Sequence, residues 1–282
     1  MKIKKGVIAA GGWSTRFLPA VKAYAKHLVP ILDKPNIQYL VEEMVAAGIE
    51  EVAIVHRHGE KSIKQYFSHD IELEKYLKES GKEEFLEGWQ TVMRKVKRWY
   101  FTPQRRSLPY GNGTPLLCVK NFVGKEPFVY MFGDDFLLEK KPGVYLAQMM
   151  AIFNKYQPAV VLGAQKVEGR EIEKYGSIKY VKDRKYPNRA AAVLEKLAME
   201  EAPSQMAQFG RFILSEKIFE ALGKAGVGRG GELWLTDANN WLCKNAVVIA
   251  EPIKSGEWLT TGDPENWLKT NIKVWEAQKI KR

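Results

Sequence analysis

The sequence predicts an α/β fold: a mixed, mainly parallel central sheet flanked by helices, with a small β-rich extension. Three observations predict it. Short apolar runs end at glycines, a segment of helical period separates the first two runs, and the runs shorten after Gln165. Residues 5–10 (Lys-Gly-Val-Ile-Ala-Ala) stop at Gly11-Gly12, as a buried parallel strand does. Residues 36–47 place Ile37, Leu40, Val41, Met44 and Val45 at helical spacing, with Gly48 as the stop. Residues 51–56 form the second strand, and strand-helix-strand in this order implies a right-handed βαβ unit. A helix begins near Lys61. A third strand (128–132), a helix (144–156) and a fourth strand (159–163) follow. Shorter strands at 178–181, 191–194 and 212–214 predict the partly antiparallel extension, and residues 267–280 form an amphipathic C-terminal helix. The core is thus Rossmann-like.

Composition excludes several classes. Of 282 residues, 45% are hydrophobic and 27% charged, with 13 Pro and 23 Gly, which rules out a disordered, collagen-like or coiled-coil chain. Cys118 and Cys243 are too few for a disulfide scaffold or a thiolate zinc site and suit a reducing compartment. No apolar run approaches the roughly 20 residues needed to span a bilayer. The apolar stretch after the charged N-terminus is too short for a signal peptide, so a cytoplasmic protein without membrane contact is expected. The 44 basic and 33 acidic residues leave +11, compatible with nucleic acid, an anionic surface or phosphorylated small molecules. Arg94, Lys95, Lys97, Arg98, Arg105 and Arg106 surround Trp99, Tyr100 and Phe101, a conceivable base-stacking surface. A solvated helix face leading into a strand is favoured, and nucleic acid is not the expected partner. His56 and His58 lack further ligands, His27 and His69 are isolated, and no Ser-His-Asp arrangement stands out.

In a parallel sheet, ligands bind at the carboxyl ends of strands. The turn Gly11-Gly12-Trp13-Ser14-Thr15-Arg16 occupies such an end, its glycines allow close approach of a phosphate, and Arg16 and Lys26 add cationic charge. Asp134 directly follows the apolar strand at 128–132, which also places it at a carboxyl end.

The stretch from Gly12 to Ala23, then Lys26-His27-Leu28-Val29-Pro30 through Lys34-Pro35, resembles the opening signature of bacterial-type UTP–glucose-1-phosphate uridylyltransferases, within the sugar-nucleotidyltransferase group. Gly133-Asp134-Asp135, Lys174-Tyr175-Gly176, Glu195-Lys196, Glu201-Ala202-Pro203-Ser204, Gly210-Arg211 and Gly231-Glu232-Leu233-Trp234-Leu235-Thr236-Asp237-Ala238 continue the resemblance over most of the chain. It implies that UTP and glucose 1-phosphate give UDP-glucose and pyrophosphate with Mg²⁺, in a homo-oligomeric enzyme. It also implies roles. Arg16 holds the departing phosphates, Lys26 the α-phosphate, Glu195 the sugar hydroxyls and Lys196 the sugar phosphate. Gly176 lies along the sugar, and Asp134 binds the metal. Gly11, Gly12 and Gly111 flank the base, Gln104 is the candidate to read uracil, and Ser14 and Thr15 complete the substrate-binding turn. Residues 1–282 then form one domain, with 1–165 mainly nucleotide-binding, 166–265 a sugar-binding extension and 266–282 the C-terminal helix.

Departures accompany the likeness. Ser14 stands where the family has glycine, Ala25 where it has proline, and Trp234 where it has glutamine; Gly113-Thr114-Pro115 replaces Gly-His-Ala. The segment around Gln104 is about three residues longer. In Thr260-Thr261-Gly262-Asp263 the threonine at 260 replaces the family's second metal-binding aspartate. One or two carboxylates can hold Mg²⁺ when substrate phosphates and water complete its shell. An active enzyme is therefore expected, and the alternative is a catalytically impaired paralogue that binds nucleotide sugar and regulates or joins an active enzyme.

Overall fold

The computed structural model describes residues 2–279. Four strands form a parallel block: β1 (Lys5–Ala10), β2 (Glu51–His56), β3 (Arg98–Pro103) and β4 (Phe128–Phe132), in spatial order β4-β1-β2-β3. β5 (Asp135–Leu138) leaves this block at once. β6 (Val160–Lys166), β7 (Gly176–Tyr180), β8 (Ala190–Glu195), β9 (Met206–Leu214) and β10 (Val248–Pro252) extend the same sheet to nine strands. β9 joins its two parts, running antiparallel to β4, β6 and β7. β10 pairs parallel with β6, and β8 pairs antiparallel with β7. β11 (Glu257–Thr260) returns to pair with β5 as a separate two-stranded ribbon.

Both faces of the sheet are covered, which is why its strands read as apolar runs rather than alternations. On one face α1 (Asn36–Ala46) and α2 (Val144–Tyr156) contribute Ile37, Leu40, Met44, Leu146, Met149 and Phe153 to the core. On the other, α3 (Leu235–Asn245) packs Leu235, Ala238 and Leu242 beside Leu222 of the helix Lys217–Ala225. Each of the Ile, Leu, Met and Phe side chains among them, fully buried, contributes about 1.5–3 kcal/mol relative to exposure. Gly48, at φ +92, follows the end of α1 in a conformation freely available to glycine. The C-terminal helix α4 (Pro264–Lys279) starts earlier than predicted, and Ile280 lies outside the described residues.

β9 is longer than its apolar run predicts. Residues 212–214 announce it, but it begins at Met206 and crosses Phe209-Gly210-Arg211, which reads like an interruption. The pairing with β6 shifts register between Phe209 and Phe212, so a bulge takes up the glycine and arginine. Arg211, fully buried, is thereby delivered to Glu43 on α1, with Nη2 2.8 Å from Oε2 and Nε 2.9 Å from Oε1.

The basic segment at 94–106 is the end of the helix Glu84–Lys95 followed by β3. Its aromatics are already stacked. Trp99 lies on Phe101 with ring centres 5.6 Å apart, and Tyr100 on Phe122 at 5.3 Å. The conceivable base-stacking surface is thus spent on packing the sheet edge. Among the described residues no helix is long and apolar enough to cross a membrane.

Candidate active site

A cleft of about 340 Å³ opens at the carboxyl ends of β1 and β4, with β7 and β8 forming its opposite wall. On the first wall the turn after β1 meets the loop after β3. Gln104 N–H donates to the His56 carbonyl (2.8 Å), which sets the loop. A β-carbon on Gly11 would land on Gln104 Oε1, so glycine is what lets the amide lie across the turn. Gly111, at φ +139, packs its α-carbon against the Leu233 backbone. Around it Leu233 N–H donates to the Tyr110 carbonyl (2.7 Å) and Leu235 N–H to Asn112 Oδ1 (2.8 Å), closing this loop onto the start of α3.

The floor is the turn between β4 and β5. Thr261 donates from its N–H (2.7 Å) and its hydroxyl (2.9 Å) to the Asp134 carbonyl. The buried Asn36 amide donates to the Gly133 carbonyl (2.9 Å) and to Thr261 Oγ1 (3.0 Å). Lys26 Nζ donates to Asp134 Oδ2 at 2.6 Å. Burial works to raise the Asp134 carboxyl, but the charge and hydrogen bond of Lys26 outweigh it and hold it at about 2. Asp135 behaves oppositely. Burial and the neighbouring Asp134 push it up to about 7, against the Arg211 charge and the Gly210 N–H that donates to Oδ2 at 2.6 Å. His27, buried beside Lys26, is driven down to about 3 by desolvation and then by the Lys26 charge. It is therefore neutral at ordinary pH.

The far wall is built on the β7–β8 pair, where Gly176 faces Glu195. A β-carbon on Gly176 would lie 3.2 Å from Glu195 Oε2, so the small residue leaves the carboxylate open to the cleft. Three hydrogen bonds fix that carboxylate. Thr236 Oγ1 donates to Glu195 Oε2 (2.7 Å), Gln208 Nε2 donates to Thr236 Oγ1 (3.3 Å), and Asn239 Nδ2 donates to Gln208 Oε1 (3.0 Å). Burial raises the Glu195 carboxyl despite Thr236 and Lys196. Lys196, held at φ +48, sets its ammonium 4.9 Å from the centre of the Trp234 ring.

Every site residue named from the sequence lines this cleft except Ser14 and Thr15. Ser14 adopts the left-handed conformation (φ 60), with Oγ 3.5 Å from the Gly12 carbonyl. Thr15, itself exposed, begins the turn Thr15–Phe17, whose Phe17 is buried. Thr260 also lines the cleft, and its hydroxyl accepts from Gly262 N–H at 3.2 Å. Asp263 does not replace the missing carboxylate. Its Oδ1 accepts from Asn266 N–H (2.9 Å) and its Oδ2 from the Asn266 amide (2.7 Å), so it caps α4. His27, Asp135, Gln208 and Thr236 line the cleft without having been singled out from the sequence. His27, Asp135 and Thr236 carried a signal, their places in the matched stretches from Lys26, Gly133 and Gly231, whereas Gln208 carried none.

The nucleotidyl transferase family model matches residues 5–276. The UTP–glucose-1-phosphate uridylyltransferase of Bacillus subtilis is 38% identical over 271 residues, covering 96% of this chain and 90% of that protein. That of Streptococcus pneumoniae is 38% identical over 276 residues, with 96% and 90% covered. Among solved structures, an apo UDP-glucose pyrophosphorylase superposes with TM-score 0.90 at 32% identity, covering 98% of this chain and all (100%) of that one. A UDP-glucose pyrophosphorylase complexed with UDP-glucose gives 0.86 at 31% identity, with 98% and 100% covered.

Proposed function

Because the chain belongs to the nucleotidyl transferase family, we propose that it joins UTP and glucose 1-phosphate into UDP-glucose and pyrophosphate. The observation that carries this reading is that one cleft gathers three groups: Gly11 against Gln104, Arg16 and Lys26 with Asp134, and Gly176 with Glu195 and Lys196. They suit a base, phosphates and a sugar phosphate. Uracil lies against Gly11 and Gly12 with the Gln104 amide at its edge. Lys26 meets the α-phosphate and Arg16 the departing phosphates. Lys196 holds the sugar phosphate while Glu195 accepts from sugar hydroxyls. A phosphate oxygen of glucose 1-phosphate attacks the α-phosphorus, and the bond from that phosphorus to the β-phosphate bridging oxygen breaks. Pyrophosphate leaves on the opposite side. No covalent intermediate is needed, so the protein contributes orientation and charge stabilisation.

The Asp134 carboxylate and the Thr260 hydroxyl are the oxygen donors at the floor, a set that suits a magnesium ion whose shell is mostly phosphate and water. When bound, such an ion neutralises charge developing on the phosphates. The reading carries with it a cytoplasmic homo-oligomer, and the buried thiols of Cys118 and Cys243 suit a reducing compartment.

The test is pyrophosphate release from the purified protein with glucose 1-phosphate, magnesium and each nucleoside triphosphate in turn. Release with UTP above the others supports the reading. Binding of UDP-glucose without release from any triphosphate would favour the impaired paralogue, the reading that Thr260 motivates.

A further inference from the structure

Each carboxylate around the floor of the cleft is already engaged. Asp134 holds Lys26 at 2.6 Å, Asp135 accepts from Gly210 N–H at 2.6 Å, and Asp263 is committed to Asn266. Position 260 offers only a hydroxyl. Among the described residues no three His, Cys, Asp or Glu side chains are grouped to hold a metal ion. The donor set therefore fits a hard divalent ion only when other oxygens complete its shell.

We propose that this protein has no nucleotide-independent divalent site: Lys26 occupies the Asp134 carboxylate as its counter-ion until a nucleoside triphosphate enters with its metal, and the phosphates then draw Lys26 away from Asp134. The inference rests on the nucleotidyl-transfer reading only for the identity of the incoming anion. Which partner moves follows from the packing. The Asp134 backbone is clasped by Thr261, which is itself held by buried Asn36, whereas Lys26 reaches the site on a flexible four-carbon stem. The Lys26 side chain is only 12% exposed, so its charge is weakly screened. A divalent ion on the same carboxylate would face that ammonium as a like charge at short range. Phosphates reverse the sign by giving the ammonium a second anion and the metal further oxygens.

The probe is Mn²⁺, read by the loss of its free-ion electron paramagnetic resonance signal in nucleotide-free protein. Wild type is expected to leave the signal unchanged. Lys26→Met, which vacates the Asp134 carboxylate, is expected to bind Mn²⁺ at least about tenfold more tightly than wild type. The double variant Lys26→Met, Asp134→Asn should lose that gain. Circular dichroism checks folding, and Lys26→Gln serves if the methionine variant does not fold. Stoichiometric Mn²⁺ binding by wild type, or wild-type affinity in a folded Lys26 variant, would overturn the proposal. No arm contains sugar phosphate or measures turnover. A protein that releases no pyrophosphate therefore defeats the proposed reaction without touching this inference, and the converse also holds.

Discussion

Glu195 is useful only if its carboxylate stays aimed at the cleft, and the chain Asn239–Gln208–Thr236 is what aims it. Removing the last link with Thr236→Val keeps the shape and loses the hydrogen bond, about 1.5–3 kcal/mol for a bond to a charged group. The KM for glucose 1-phosphate should rise roughly tenfold or more while the KM for UTP stays level. Equal changes in both would show that Thr236 supports the whole cleft instead. His27 makes a pH prediction. Its folded value, about 3, lies below the ordinary 6.5, so the unfolded chain takes up a proton first as pH falls. Stability should decline by about 1.4 kcal/mol per pH unit from near 6.5 downward. Urea unfolding from pH 7 to pH 5 should show a shallower decline in His27→Leu; equal slopes would mean that His27 protonates without unfolding. Glu195, Lys196 and Gly176 were legible through the stretches they sit in. Gln208 lies outside those stretches, and Thr236, although inside one, has a task that is invisible locally, because both hold a residue far away in sequence.

At the scale of elements, the parallel strands were legible because two covered faces demand apolar runs, and such runs stand out. β5 and β11 were not. Each has four residues, and they pair across more than a hundred positions with no local turn to announce them. Yet their ends carry Asp135 and Thr260 to the cleft, and α4 leaves directly afterwards through its Asp263 cap. Asp263→Ala should cost about 1 kcal/mol, lowering the melting temperature by about 2–4 °C. No change in melting temperature would mean that α4 does not depend on its cap. Asp263, three positions after Thr260, does not supply the carboxylate that position 260 lacks, because both its oxygens are engaged in capping α4.

Over the whole molecule, the buried pair Glu43–Arg211 ties α1 to β9 and reaches the floor, since Arg211 Nη2 also donates to the Asp135 carbonyl (3.2 Å). Removing one partner leaves a buried charge alone. Glu43→Ala should cost about 3–5 kcal/mol by denaturant unfolding, whereas a loss below 1 kcal/mol would mean that water reaches the guanidinium. The excess of +11 also acquires a distribution. Lys2, Lys4 and Lys97 gather around Glu50 at the amino-terminal ends of β1, β2 and β3, while Arg16, Lys26 and Lys196 face the cleft. Net charge alone left nucleic acid and phosphorylated small molecules both open, because a sum holds no positions; the fold supplies them. Transfer of a nucleotidyl group to a sugar phosphate in this cleft is tested most directly by following α-labelled UTP with glucose 1-phosphate and magnesium. Label is expected in UDP-glucose with an equal amount of pyrophosphate, and at a higher rate in Thr260→Asp. Label that stays in UTP, or passes to UMP, in both folded proteins would contradict it.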